Sequence, residues 1–223
     1  MRNRSKLILF FFLFTLLGIV VTLPKYYQAM KKQFEIQAVE NLESLLTTSV
    51  QLIDFKGLNE LNSPEDSSKE SYKRILGDLE KVMAANEQKG MFIAFAYILK
   101  PSKKSGYLEF IVDGDTSENH FPIGKLTSNY EQRDLLKHLQ QTYTPPGYFS
   151  TKWGSLLTSY TPIFDADGSY VATMAMSVYQ GQIFSNIVVV RQSLIYCSIT
   201  ALILSIVLGW SVAMFLTRKE RQD

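Results

Sequence analysis

Two uncharged apolar blocks near the ends of this chain constrain it more than any other feature. The first, Leu7 to Leu23 (LILFFFLFTLLGIVVTL), would reach about 26 Å as a helix at about 1.5 Å per residue, close to the roughly 30 Å hydrocarbon core of a bilayer. The second, Ser193 to Leu216, would reach about 36 Å and could span with tilt. The first block is longer than the apolar region of a cleaved signal peptide and runs into PKYYQAM without a small-residue cleavage site, so it reads as a retained anchor. Mean hydropathy near zero is thus the average of two unlike populations: polar globular sequence and a pair of membrane-length blocks.

Flanking charge gives an expected orientation. Arg2, Arg4 and Lys6 precede the first block, and Arg218, Lys219 and Arg221 follow the second, which places both termini in the cytoplasm and residues 25–192 outside. Lys25, Lys31, Lys32 and Arg191 on the outer flanks weaken that asymmetry. The expected division is 1–6 cytoplasmic, 7–24 transmembrane, 25–186 extracytoplasmic domain, 187–217 membrane-proximal and transmembrane, and 218–223 cytoplasmic tail. The one cysteine, Cys197, lies in the second block, so no intrachain disulfide can form. A net charge of +2 with no basic run interleaved with aromatics speaks against a nucleic-acid partner.

Between the blocks, Met30, Phe34, Ala38, Leu42, Leu45, Leu46, Val50 and Ile53 recur at helical spacing. This amphipathic stripe could pack on its own domain or on a second copy, making a homodimer through the N-terminal helix. SPED at residues 63–66 carries helix-start chemistry ahead of a second amphipathic helix with Tyr72, Ile75, Leu76, Leu79, Val82 and Met83 on one face. Met91 to Leu99 and Tyr107 to Val112 read as a hairpin. A third helix is predicted over Asn129 to Tyr143, stopping at Pro145, Pro146 and Gly147. A closing hairpin is predicted from strands at Gly154–Phe164 and Tyr170–Tyr179 around DADG. Antiparallel hairpins with helices segregated from them make an α+β domain.

Period-two geometry on the last strand puts Val171, Thr173, Ala175, Ser177 and Tyr179 on one face and Tyr170, Ala172, Met174, Met176 and Val178 on the other. The small hydroxyls of Thr173 and Ser177 leave room for a ligand and can orient it, so that face is the candidate pocket wall. Trp153, Tyr160, Asp113 and Tyr107 are further candidates, and the fuller face should pack on the long helix.

Catalytic and metal chemistry find little footing. His120 and His138 lack zinc-motif spacing. DADG fails the EF-hand template, because Ile163 and Met174 would occupy ligand positions that need an acid. Phosphate-loop and nucleophile-elbow motifs are missing from the sequence, so neither an enzyme nor a cofactor is expected.

The stretches YKRILGDLEKVMAANEQKGMFIAFAYIL, YLEFIVDGD, FPIGK and WGSLLTSYTPIFDADGSYVATMAMSVY together resemble the extracytoplasmic PAS-like sensor domains of bacterial receptors, the PDC or Cache group found ahead of diguanylate cyclases and other outputs. The resemblance covers about residues 65–180. It implies a PAS-like antiparallel sheet with a long N-terminal helix, flanked by two transmembrane helices in the bacterial inner membrane, and a small-ligand site on the sheet. The family's closing strand often ends on an aspartate that holds an amine, whereas this chain has Ser177 there. The resemblance therefore points to a neutral or anionic ligand, or to none. Only TRKERQD follows Leu216, so the expected function is a sensor reporting through its second span to a separate membrane or cytoplasmic signalling protein. Two alternatives stay open: an assembly protein that docks a protein partner, and a receptor truncated before its output.

Overall fold

The computed structural model describes residues 2–87, 93–118, 120–127 and 134–219. It divides into two compact units, one formed by Met1–Phe34 with Phe184–Asp223 and the other by Glu35–Ile183.

The first unit pairs the N-terminal part of helix α1 (Arg2–Leu52) with α4 (Ser185–Lys219). Both helices are long and apolar enough to cross a membrane. The two meet where Gly209 lies so near Ile8 that an added Cβ would stand 3.0 Å from the Ile8 Cα. At the other end of the unit, the Lys31 ammonium sits 5.0 Å from the centre of the Phe184 ring. Phe10, Phe14, Leu17, Ile203, Leu204 and Trp210 stay more than half exposed, so the outer surface of both helices is apolar. Pro24 lies inside α1, where its ring removes one backbone donor.

The second unit is a five-stranded antiparallel sheet in the order β2-β1-β5-β4-β3, with β1 Phe95–Pro101, β2 Leu108–Asp113, β3 Phe149–Thr151, β4 Gly154–Phe164 and β5 Tyr170–Tyr179. This is the PAS-like α+β arrangement expected from the pattern of hairpins. The C-terminal part of α1 and helix α2 (Glu70–Glu87) cover one face of the sheet. Leu42, Leu46, Ile75 and Leu79 pack there against Ala172, Met174, Met176 and Val178 of β5. The apolar stripe of α1 within this unit is thus spent on its own domain, and β5 turns its fuller face toward it. A short helix α3 (Gln180–Ile183) follows β5.

The closing hairpin turns as read: Asp165 Oδ1 accepts from the backbone N–H groups of Asp167 and Ser169 at 3.0 and 2.8 Å, and Gly168 takes φ 77°. SPED does form a capping box at Ser63, but it opens a 3-10 segment, Pro64–Ser68, and α2 begins afterwards. The predicted first strand starts within residues outside the description, and β1 runs on to Pro101.

The third helix needs correction. Residues 128–133 lie outside the description; Asp134 and Leu135 are helical, and from Leu136 the chain goes on in turns, so the helix ends well before Tyr143. Tyr143 pairs with Tyr160 of β4, exchanging backbone hydrogen bonds of 2.8 and 2.9 Å. Asp134 accepts a hydrogen bond from the Tyr143 hydroxyl and pairs with Lys137. Pairing with the sheet outcompetes the local helical pattern here.

Candidate ligand site

The sheet face away from α1 carries the candidate site, and strand register builds it row by row. In one row Phe95, Ser177 and Thr158 stand side by side on β1, β5 and β4. In the next stand Asp113, Tyr97, Ala175 and Tyr160, and in the third Phe110, Leu99, Thr173 and Pro162. A β-bulge between Ile98 and Leu99 shifts the pairing with β2, so that Asp113 and Phe110 both reach this face while Ile111 and Val112 join the core behind.

A cavity of about 410 Å³ lies over the first two rows. Its floor is Ser177, Thr158, Phe95 and Tyr97; one wall is the 121–127 segment with Phe121 and Lys125, and the other is Phe149 to Trp153. Of the third row Phe110 reaches the lining, while Leu99 packs with Leu108 and Leu135 instead. Half-buried Phe95 and Tyr97 alternate with buried Ala96 and Ile98 along β1, the signature of a strand with one filled face and one open one.

Two short segments close the sides. The 124–127 segment hydrogen-bonds along the outer edge of β2: Phe110 N–H donates to Lys125 O, Gly124 N–H to Phe110 O and Thr127 N–H to Leu108 O, at 2.9, 2.9 and 2.8 Å. The other, residues 142–153, is held to α1 and β4. The Thr144 hydroxyl donates to Glu43 Oε1 at 2.6 Å and lies 2.7 Å from the Ser159 hydroxyl, while the Tyr148 hydroxyl donates to Glu35 at 3.3 Å.

Asp113 is the most buried carboxylate on the lining, at 4% exposure. Its Oδ1 accepts from the Asp115 N–H at 3.1 Å and its Oδ2 from the Phe121 N–H at 2.9 Å. Burial pushes its pKa up; those two N–H groups and nearby His120 pull the other way and only partly offset the burial. His120 bridges Tyr72 and the Asp115 carbonyl, with Nε2 3.5 Å from the Tyr72 hydroxyl and Nδ1 2.9 Å from the Asp115 oxygen. Burial, then the charge of Asp113, raises the Tyr72 pKa.

Of the residues singled out from sequence, Ser177, Trp153, Tyr160 and Asp113 line the cavity together. Thr173 shares their face but lies in the third row, its hydroxyl 2.8 Å from that of Tyr170. Tyr107 sits at the β1–β2 turn with the Lys104 ammonium 4.4 Å from its ring centre, away from the lining. Phe95, Tyr97, Phe110, Phe121, Lys125 and Phe149 line the cavity without having been singled out. Period-two reading of β1 from the Ser177 row would have found Phe95 and Tyr97.

No protein-family model matches the chain, and no curated protein matches it in sequence. Solved structures do match in fold. The sensor domain of the Vibrio cholerae histidine kinase DctB aligns with TM-score 0.50 at 13% identity, over 75% of this chain and 60% of that one. The Escherichia coli DcuS sensor domain aligns with TM-score 0.48 at 13% identity, over 70% and 98%. The periplasmic sensory domain of the Campylobacter jejuni chemoreceptor Tlp1 aligns with TM-score 0.41 at 13% identity, over 72% and 62%. The chain thus spans about three-fifths of the DctB domain. Sheet order, covering helices and the DctB alignment agree: residues 35–183 have a PAS-like fold, shared with that sensor domain.

Proposed function

We propose that this chain is a two-span sensor of the bacterial inner membrane, with both termini cytoplasmic and residues 25–192 outside, which binds a small ligand in its PAS-like domain. The bound state passes through α4 to a separate signalling protein, and the chain has no enzymatic activity of its own. A homodimer through the N-terminal helix fits this reading. The observation that carries it is the cavity over β5, because that strand leads through the short α3 into the membrane-length α4. A volume of about 410 Å³ falls in the range of small-molecule sites, roughly 300–1,000 Å³.

The test is a thermal-shift screen of the full chain in lipid nanodiscs against amino acids, amines, carboxylates, sugars and aromatic compounds. A ligand at about one hundred times its Kd adds about 2.7 kcal/mol, a rise of several degrees. A saturable response that Ser177→Phe abolishes, together with a partner reporter uncoupled by substitution at Tyr179 or Gly181, is the expected result. A folded protein indifferent to the whole panel would turn the reading toward docking of a protein partner.

A further inference from the structure

The aromatic side chains of the cavity are arranged as a series. Tyr97 and Phe110 stand with ring centres 5.2 Å apart, Phe110 and Phe121 4.7 Å, Phe121 and Trp153 6.0 Å, and Trp153 and Phe95 5.6 Å. Phe95 and Tyr97 are next-but-one neighbours on the cavity face of β1, so the series of rings begins and ends on the same strand. The interplanar angles are 46°, 37°, 78° and 53°. This tilted, edge-to-face packing extends by accepting one more ring, and each such pair stabilises beyond the area it buries.

The charges on the lining narrow the class further. Asp113 and Asp115 are matched by Lys125 and Lys152, so a ligand of either net charge would meet its own sign. A cation would also compete with the Lys152 ammonium, which already lies 4.5 Å from the Trp153 ring centre. Both lysines are exposed at the rim, while the Asp113 carboxylate is buried on the lining. A carboxylate offers about four acceptor positions, and the N–H groups of Asp115 and Phe121 fill one on each oxygen. Acceptor capacity is left for a donor arriving in the cavity.

We propose that the cavity takes a neutral aromatic ring carrying one N–H or O–H donor, with the ring seated in the Tyr97–Phe110–Phe121–Trp153–Phe95 series and the donor given to Asp113. The inference rests on the reading of this cavity as the sensor's ligand site and adds the ligand class.

The experiment uses the full chain in nanodiscs with indole and 1-methylindole, two probes that share a ring system and differ in the donor, followed by saturation-transfer NMR and calorimetry. Saturable indole binding is expected, with 1-methylindole weaker by about tenfold or more, since a hydrogen bond to a charged group is lost. Asp113→Asn should narrow that ratio, and Phe121→Leu should weaken both probes alike. Equal affinities, or no binding of either probe, would overturn the proposal. If Asp113→Asn does not fold, the probe pair on the unmodified protein decides alone. Silence toward both indoles with a saturable response to a carboxylate, an amine or a sugar would sink the ligand class and leave the sensor reading standing. Silence toward everything would sink both.

Discussion

Ser177 on β5 and Thr158 on β4 stand opposite one another in register, and their hydroxyl oxygens lie 2.8 Å apart on the cavity floor. Both residues are almost wholly buried, so each hydroxyl depends on the other. Ser177→Ala should strand the Thr158 hydroxyl and cost about 1–3 kcal/mol. Replacing both, with Ala and Val, should cost less than the two single changes added together, because no orphaned hydroxyl remains. Urea unfolding of the two single variants and the double variant measures this coupling.

Acidification should favour the state that Asp113 belongs to. Burial raises its folded pKa above the unfolded value of about 3.9, so the folded protein binds the extra proton in between. The contribution of Asp113 is therefore greatest below about pH 3.9 and is lost as pH rises through the raised value. Asp134 works in the opposite sense, its pKa lowered by the Tyr143 hydroxyl first and Lys137 next, but it is common to both proteins in the comparison. The stability of the unmodified chain minus that of Asp113→Asn should move in favour of the unmodified chain from pH 7 to pH 4. A flat difference across that range in denaturant titrations would contradict it.

Gly114 should tolerate no side chain. Its N–H donates to Ala96 O at 2.9 Å, and an added Cβ would stand 2.8 Å from that same oxygen and 3.2 Å from the Met83 sulfur. The sulfur can move aside but the backbone oxygen cannot, so Gly114→Ala should cost about 1–3 kcal/mol. Since Gly114 follows Asp113 directly, the same variant should weaken ligand binding, read by calorimetry alongside the melting curve.

Two leucines six positions apart on α1 should behave oppositely. Leu46 is fully buried against the sheet and Leu52 is 77% exposed. Leu46→Ala should cost about 2–5 kcal/mol through lost burial and the void left behind, while Leu52→Ala should stay within about 0.5 kcal/mol. Similar losses at both sites would mean that the N-terminal helix buries Leu52 against a second copy.

Glu43 should control the mobility of a cavity wall. Its carboxylate accepts the Thr144 hydroxyl, which also meets Ser159. Glu43→Ala should speed amide exchange in residues 142–151 and leave β5 protected, whereas Glu43→Gln, which keeps an acceptor, should stay near the unmodified rate. Hydrogen exchange with mass spectrometry separates these outcomes.

The parts of this fold legible in the sequence were those governed by local periodicity and turn chemistry. The β4–β5 hairpin follows from alternation around Asp165 to Gly168, and the two faces of β5 follow from period two from Ala172 onward; before that a register shift at Ile163/Phe164 breaks the alternation, so that Val171 packs with the core and the Tyr170 hydroxyl meets Thr173. Where sequence reasoning stopped, non-local pairing had taken over. The bulge at Ile98/Leu99 brings Phe110 to the cavity face although it is an odd number of residues from Asp113. Thr173 and Ser177 look equivalent along the strand, yet Ser177 meets Thr158 on the cavity floor while the Thr173 hydroxyl meets Tyr170 away from the lining. Strand β3 is three residues long and owes its existence to its pairing with β4. Tyr143 belongs to an apolar helical pattern, yet it is drawn into line with Tyr160 by backbone hydrogen bonding.

The 124–127 segment both caps the free edge of β2 and supplies Lys125, Leu126 and Thr127 to the cavity wall. An exposed strand edge is a template for pairing with another chain. On the proposed reading of the cavity, substitutions that loosened this wall to admit larger ligands would also uncover a strand edge, so a broader ligand range would run against resistance to aggregation.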